Sequence, residues 1–193
     1  FYLFLNPKKT TDKQICDFKI LIPGWITDGN ILSIKYATEN MPKEGIVLEI
    51  GTFCGLSTCI INYFLDKYSL KNNFETVDPY SFYSELVKNN LKNTLIYFGY
   101  NRILKVEYKS SFYFEHSQTD ISFAYIDGDH SFKVAYNDFL EVDKRLLKGG
   151  FILFDDSEDW GKFECKKIPK LALKTGRYKL IFKNPNYLIQ KIK

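Results

Sequence analysis

Four short apolar runs in this chain each carry an acidic residue at or beside their end, and that regularity limits the folds open to it. Ile46-Val47-Leu48-Glu49-Ile50 is β-branched and stops at Gly51, which reads as a buried strand. Phe74 to Val77 ends at Asp78-Pro79, Ile121 to Ile126 ends at Asp127, and Phe151 to Phe154 ends at Asp155-Asp156. Between them lie stretches with helical spacing: Leu56 to Lys67, Tyr83 to Leu95 and Phe132 to Leu147, the last stopped by Gly149-Gly150. Ile103 to Tyr108 reads as a further strand and Cys165 to Leu173 as a last helix. Tyr178 to Phe182 and Tyr187 to Ile192 read as two closing strands joined by a turn at Asn184-Pro185-Asn186. Strands alternating with helices predict an α/β fold, with a doubly wound, mostly parallel seven-stranded sheet and an antiparallel C-terminal strand pair. In such sheets a ligand sits beyond the carboxyl ends of the strands, so all these acids are delivered to one rim. Acids at strand ends also serve as helix N-caps, which is the competing reading for any one of them.

Length and composition agree with a single domain. The chain has 193 residues, 45% hydrophobic and 26% charged, which is globular and neither disordered nor collagen-like. Residues 1–45 are expected to form a lid or substrate segment and 46–193 the catalytic core. No apolar run approaches a membrane span. In FYLFLNPKKTTDK the basic residues follow the apolar stretch, the reverse of a signal peptide. A net charge of +4 comes without a basic block, so neither nucleic acid nor a membrane is an expected partner. The cysteines at 16, 54, 59 and 165 form no C-x-x-C pair. A disulfide framework or zinc site is therefore not expected, and a reducing, cytoplasmic setting is.

The first turn, Glu49-Ile-Gly51-Thr52-Phe-Cys-Gly55-Leu-Ser57-Thr58, joins a strand to a helix. Gly51 permits a tight turn, Gly55 a close approach, and the helix start favours an anionic group. A dinucleotide fingerprint needs glycine two residues after the first, and that place holds Phe53. Asp78 stands where an acid accepts hydrogen bonds from both ribose hydroxyls, or else caps the next element.

The turn, as E-x-G-x-x-x-G, resembles motif I of class I S-adenosylmethionine-dependent methyltransferases. The segments Tyr125-Ile126-Asp127-Gly128-Asp129-His130-Ser131-Phe132 and Leu147-Lys148-Gly149-Gly150-Phe151-Ile152-Leu153-Phe154-Asp155-Asp156 resemble a pattern of macrocin-type sugar O-methyltransferases. Pro23-Gly24-Trp25-Ile26-Thr27 is similar to a segment of the same proteins. The resemblance implies a Rossmann-like methyltransferase core and S-adenosylmethionine as cofactor, contacted by Glu49, Gly51, Thr52, Gly55, Ser57, Asp78, Ser111 and Asp127. It implies a divalent ion, Mg²⁺, on Asp127, Asp155 and Asp156, whose hard oxygens suit it. It also implies that His130 takes the proton of an acceptor hydroxyl, as a neutral imidazole can near pH 7. The plainer readings make His130 a helix-start residue, Asp129 a cap, His116 a surface residue, and Trp25 and Tyr80 packing groups or cleft wall.

The expected function is metal-assisted O-methylation of a sugar or another small hydroxyl compound. A non-catalytic or metal-independent S-adenosylmethionine-binding module is the alternative. A nicotinamide oxidoreductase lacks its middle glycine, and a nucleic-acid base methyltransferase lacks an N/D-P-P-Y/F tetrapeptide. Homo-oligomerisation stays open.

Overall fold

A computed structural model describes residues 12–81, 85–100 and 103–193 of the chain. It opens with two helices that the apolar spacing did not reveal, α1 (Lys13–Leu21) and α2 (Asp28–Asn40). Thr27 starts α2 by accepting a 3.0 Å hydrogen bond from the Asn30 amide onto its hydroxyl. The alternation then runs β1 (Ile46–Ile50), α3 (Leu56–Lys67), β2 (Phe74–Val77), α4 (Glu85–Tyr97), β3 (Leu104–Val106), α5 (Ser110–His116), β4 (Ile121–Ile126), α6 (Phe132–Arg145) and β5 (Leu146–Phe154). A 3-10 turn at Glu164–Lys167 leads into α7 (Ile168–Lys174), and β6 (Tyr178–Lys183) and β7 (Tyr187–Lys191) close the chain. The expected start of the fourth helix, at Tyr83, lies outside the described residues.

The seven strands form one sheet in the order β3-β2-β1-β4-β5-β7-β6. The first five pair in parallel, and β7 is antiparallel to both β5 and β6. The expected doubly wound sheet with an antiparallel end is thus present. Its winding reverses between β1 and β4, and there the diverging connections leave a crevice above the strand ends.

Side-chain alternation sorts the core into two layers. On β4, Phe123 and Tyr125 face one layer with Val47 of β1, while Ala124 and Ile126 face the other with Leu48 and Ile50. The first layer is covered by α1, α2, α3 and α4, the second by α5, α6 and α7. Phe18 of α1 is fully buried, edge-on to Phe98 with ring centroids 4.8 Å apart. Residues 13–40 therefore complete one face of the sheet.

Two boundaries differ from expectation. Helix α6 stops at Arg145, and Gly149-Gly150 lie inside β5 instead of ending a helix. At Gly150 a Cβ would come within 2.9 Å of the Ser122 carbonyl oxygen on the neighbouring strand, so glycine here serves close strand approach. Residues 110–116 are helical, and His116 in that helix is exposed, as its surface reading required.

Candidate active site

The crevice holds a cavity of about 1100 Å³, large for one small ligand, since such sites span about 300–1,000 Å³. Its walls come from the ends of β1, β2 and β4, the start of α5, one side of α6 and the 162–164 segment. Gly51, Asp78, Ser111, Asp127 and His130 all border it. These five expected site residues, drawn from four separate stretches of sequence, are brought together.

The first turn is held by its neighbours. Gly51 has φ +93°, and a Cβ there would lie 2.0 Å from the Asp127 carbonyl oxygen, so the turns after β1 and β4 can meet only at glycine. Asp78 clamps the same turn. Its Oδ2 accepts from the amides of Thr52 and Phe53, both at 3.0 Å, and its Oδ1 accepts from the Tyr80 amide at 2.9 Å. A carboxylate offers about four acceptor sites, so this clamp leaves one unused on a residue that borders the cavity. Glu49, fully buried, stands behind the turn and accepts from Ser57 Oγ and Thr58 Oγ1, each at 2.6 Å. Burial pushes its carboxyl up to about 7 against the pull of those hydroxyls. Glu49, Thr52, Gly55 and Ser57 thus shape the turn from beneath, and none of them borders the cavity. The Thr52 hydroxyl is paired with that of Thr76.

The strand-end acids divide into two groups. Ligating atoms of Asp127, His130 and Asp156 lie within 4.8 Å of one another. His130 Nδ1 is 3.2 Å from Asp156 Oδ2, and the imidazole stacks on Phe163 with centroids 4.5 Å apart. Asp156 has φ +47°, a left-handed backbone that aspartate, like glycine and asparagine, adopts more readily than other residues. Burial, then the neighbouring Asp155, Asp156 and Glu49 carboxylates, hold the Asp127 carboxyl well above the ordinary range. Asp155 lies against Asp127 and adds partners of its own. Its Oδ1 accepts from Asn30 Nδ2 at 2.8 Å, the Asp156 amide at 3.0 Å and Asn186 Nδ2, and its Oδ2 from the Tyr125 hydroxyl at 2.6 Å.

Asp129 accepts a 2.7 Å bond from the Ser131 amide, an Asx turn just ahead of α6, whose N-cap position is held by Ser131 without a side-chain cap. Trp25 is 89% exposed and stacks loosely on Phe53 at 6.3 Å, while Tyr80 is buried, and neither borders the cavity. Three site features had no place in the sequence reading: Phe163 beneath His130, the Asn30–Asn186 pair around Asp155, and Asp138. The last left a signal. It stands in phase with Ala135 and Val142 on the apolar stripe of α6, where an acid is out of place.

A crevice at the winding reversal, a clamped glycine turn and an acid-rimmed opening together define a Rossmann-like ligand-binding enzyme core. The family model of a methyltransferase domain matches residues 48–157, more than half of the chain. The chain belongs to that family, and with it to the class I S-adenosylmethionine-dependent methyltransferases. An uncharacterized protein, R132, of Acanthamoeba polyphaga mimivirus is 30% identical over 140 residues, covering 68% of this chain and 62% of its own length. The fold is shared with the O-methyltransferase NovP, at TM-score 0.68 and 12% identity over 87% of this chain and 81% of that one. A protein from Corynebacterium glutamicum superposes at TM-score 0.71 and 12% identity, covering 96% and 92% of the two chains. An O-methyltransferase from Bacillus cereus in complex with SAH does so at 0.65 and 15%, covering 98% and 94%.

Proposed function

We propose that this protein transfers the methyl group of S-adenosylmethionine to a hydroxyl of a small molecule, with a divalent cation assisting. The observation that carries the reading is the convergence of Asp127 and His130 on the rim of the cavity that the glycine turn also borders, with Asp156 within ligating reach of both. Family membership supports the cofactor, and O-methyltransferases among the structural neighbours support oxygen as the acceptor atom. A sugar remains the favoured acceptor class by resemblance alone.

The chain's own groups divide the work. Gly51, where the turn borders the cavity, lets the cofactor's amino-acid end approach closely, and Asp78 has an acceptor site left for ribose. Asp156 faces His130 Nδ1, so an Nδ1 proton donated to Asp156 leaves Nε2 as the acceptor for the hydroxyl proton. Phe163 fixes the plane of the ring from below. The acceptor oxygen then attacks the sulfonium methyl in line, and positioning supplies much of the acceleration.

The donor set fits a hard divalent cation. Asp127 and Asp156 are crowded carboxylates, and among the described residues Asp127 has no lysine or arginine ion-pair partner. These two would hold the ion, with Asp155 behind them, saturated by its own donors. A cation there supplies charge stabilisation to a hydroxyl losing its proton.

Calorimetric titration of S-adenosylmethionine with and without Mg²⁺, with NAD⁺ as control, tests the cofactor. Detection of S-adenosylhomocysteine formed with sugars, phenols and other hydroxyl compounds then tests the reaction. Binding of S-adenosylmethionine and not NAD⁺, with turnover on one hydroxyl class, is the expected result. A folded sample that ignores S-adenosylmethionine would overturn the reading.

A further inference from the structure

The charged groups around the cavity are unevenly matched. Five carboxylates border it. Asp78 accepts from three backbone amides, Asp129 from the Ser131 amide and Asp138 from Ser110 Oγ at 2.6 Å, while Glu164 pairs with Lys167 at 3.0 Å. The fifth, Asp127, faces the proposed cation site. Three lysines border the same cavity, Lys109, Lys133 and Lys162. None of them makes an ion pair among the described residues. The acids are matched within the chain, and the lysines are not.

Two of these lysines flank the reacting end. Lys133 lies in the first turn of α6, three positions after His130. Lys162 holds its Nζ over the Phe163 ring, 5.4 Å from the centroid, and His130 stacks on that same ring. The charge of Lys162 also reaches Asp156, without ion-pair contact. Both lysines are exposed while bordering the cavity, so their charges stand at its opening. Lys109 stands apart, next to Ser110 at the start of α5.

We propose that the methyl acceptor carries a phosphate group, and that Lys133 and Lys162 bind it beside His130. The proposal rests on the methyltransferase reading above. In that reading the cofactor's single carboxylate belongs at the Gly51 turn, and its sulfonium is cationic, so neither answers the lysines beside His130. Lysine suits phosphate as a compact point charge, whereas planar carboxylates favour the arginine fork. No arginine borders the cavity among the described residues. A phosphate ester presents several acceptor oxygens, enough for two ammonium groups, and leaves a hydroxyl of the same molecule free for His130. A phosphorylated sugar meets both requirements.

The test is calorimetric titration of inorganic phosphate and pyrophosphate into the full chain saturated with S-adenosylhomocysteine, without Mg²⁺. The cofactor product fills its own part of the cavity, so the anions report on the remainder. Pyrophosphate is expected to bind, and to bind more weakly as salt is added. Lys133→Ala and Lys162→Ala are each expected to weaken it by about fivefold or more, and the double variant to abolish it. Their S-adenosylhomocysteine affinity is expected to change by less than about twofold. Lys179→Ala, on β6 and away from the cavity, is expected to change neither. In turnover, a sugar phosphate is expected to exceed the free sugar in kcat/KM by about tenfold or more. A wild type that binds S-adenosylhomocysteine but neither anion, undiminished anion binding in the double variant, or faster turnover of the free sugar overturns the proposal and leaves the methyltransferase reading standing. Loss of S-adenosylhomocysteine affinity in the lysine variants would assign them to the cofactor and overturn the proposal as well. Failure of the wild type to bind S-adenosylhomocysteine at all overturns the methyltransferase reading, and the proposal with it.

Discussion

Single side chains in this protein carry opposed demands, and Glu49 shows how they resolve. It is fully buried at the end of β1, and two hydroxyl donors do not offset the desolvation of its charge. Its carboxyl stands near 7 in the folded chain against an ordinary 4.5. A raised acid binds its proton more tightly when folded, so its contribution is whole below about 4.5, falls as pH rises, and levels off above about 7. The shift corresponds to about 3 kcal/mol across that window. Glu49→Gln removes the titration, so between pH 5 and pH 8 it is expected to lose about 2–3 kcal/mol less stability than the wild type. Urea unfolding at the two pH values measures this, and parallel losses would place the titration elsewhere. His130 makes the complementary case, a partly exposed group whose value is chemical. His130→Ala is expected to lower kcat by about 10²–10⁴ while S-adenosylmethionine affinity changes by less than about threefold. Equal loss of affinity and turnover would instead make the ring a cofactor contact.

Among the elements, helix α1 presents a small face, and that is why its spacing was hard to read. Within Lys13–Leu21 only Ile15 and Phe18 are buried, while Ile20 and Leu21 are exposed, so the apolar residues do not mark a stripe. Yet Phe18 meets Phe98, Tyr63 and Tyr100 edge-on at 4.8–6.3 Å. Phe18→Ala is expected to cost about 3–5 kcal/mol in urea unfolding, and a cost under about 1 kcal/mol would show that α1 is peripheral. The contrast with β1, β2 and β4 is instructive. Helices cover both faces of these strands, and short, largely apolar runs with an acid at or beside their end marked them to the residue. Beyond Arg145 the same logic failed. Gly149-Gly150 resembles a helix stop, and only the closeness of the Ser122 carbonyl reveals why the glycines belong to a strand. At the site, the sequence marked the turn and the acids through their strand ends. The division of labour between Asp155 and Asp156 depends on Asn30 and Asn186, which stand 125 and 31 positions from Asp155, and no local pattern carries that.

Across the molecule, that division decides what holds the two ends of the chain to the sheet. Asp155 at the end of β5 receives donors from Asn30 of α2, Tyr125 of β4 and Asn186 at the β6–β7 turn. Asn186 Nδ2 also donates to Asn30 Oδ1 at 3.0 Å, and its own Oδ1 accepts from the Ser157 amide at 2.9 Å. The N-terminal helix layer and the C-terminal antiparallel strands therefore meet at one half-buried carboxylate. Removing it strands several buried donors, each costing about 1–3 kcal/mol when unpaired. Because the losses are shared in one network they do not add, and Asp155→Ala is expected to destabilise the protein by about 3–5 kcal/mol. Asp156, adjacent in sequence, sits on the other side of the partition. Its side chain is 33% exposed, its partner is His130, and asparagine tolerates its left-handed backbone. Asp156→Asn is expected to change stability by less than about 1 kcal/mol. The cation response should divide the other way. Mg²⁺ that binds only the folded chain raises its midpoint; Asp156→Asn is expected to abolish that rise. Asp155→Ala, destabilised with or without Mg²⁺, is expected to keep it. Thermal unfolding of the two variants with and without Mg²⁺ reads both quantities at once. A stable Asp155→Ala that has lost its Mg²⁺ response would make Asp155 a ligand and leave the joining of the chain ends to Asn30 and Asn186.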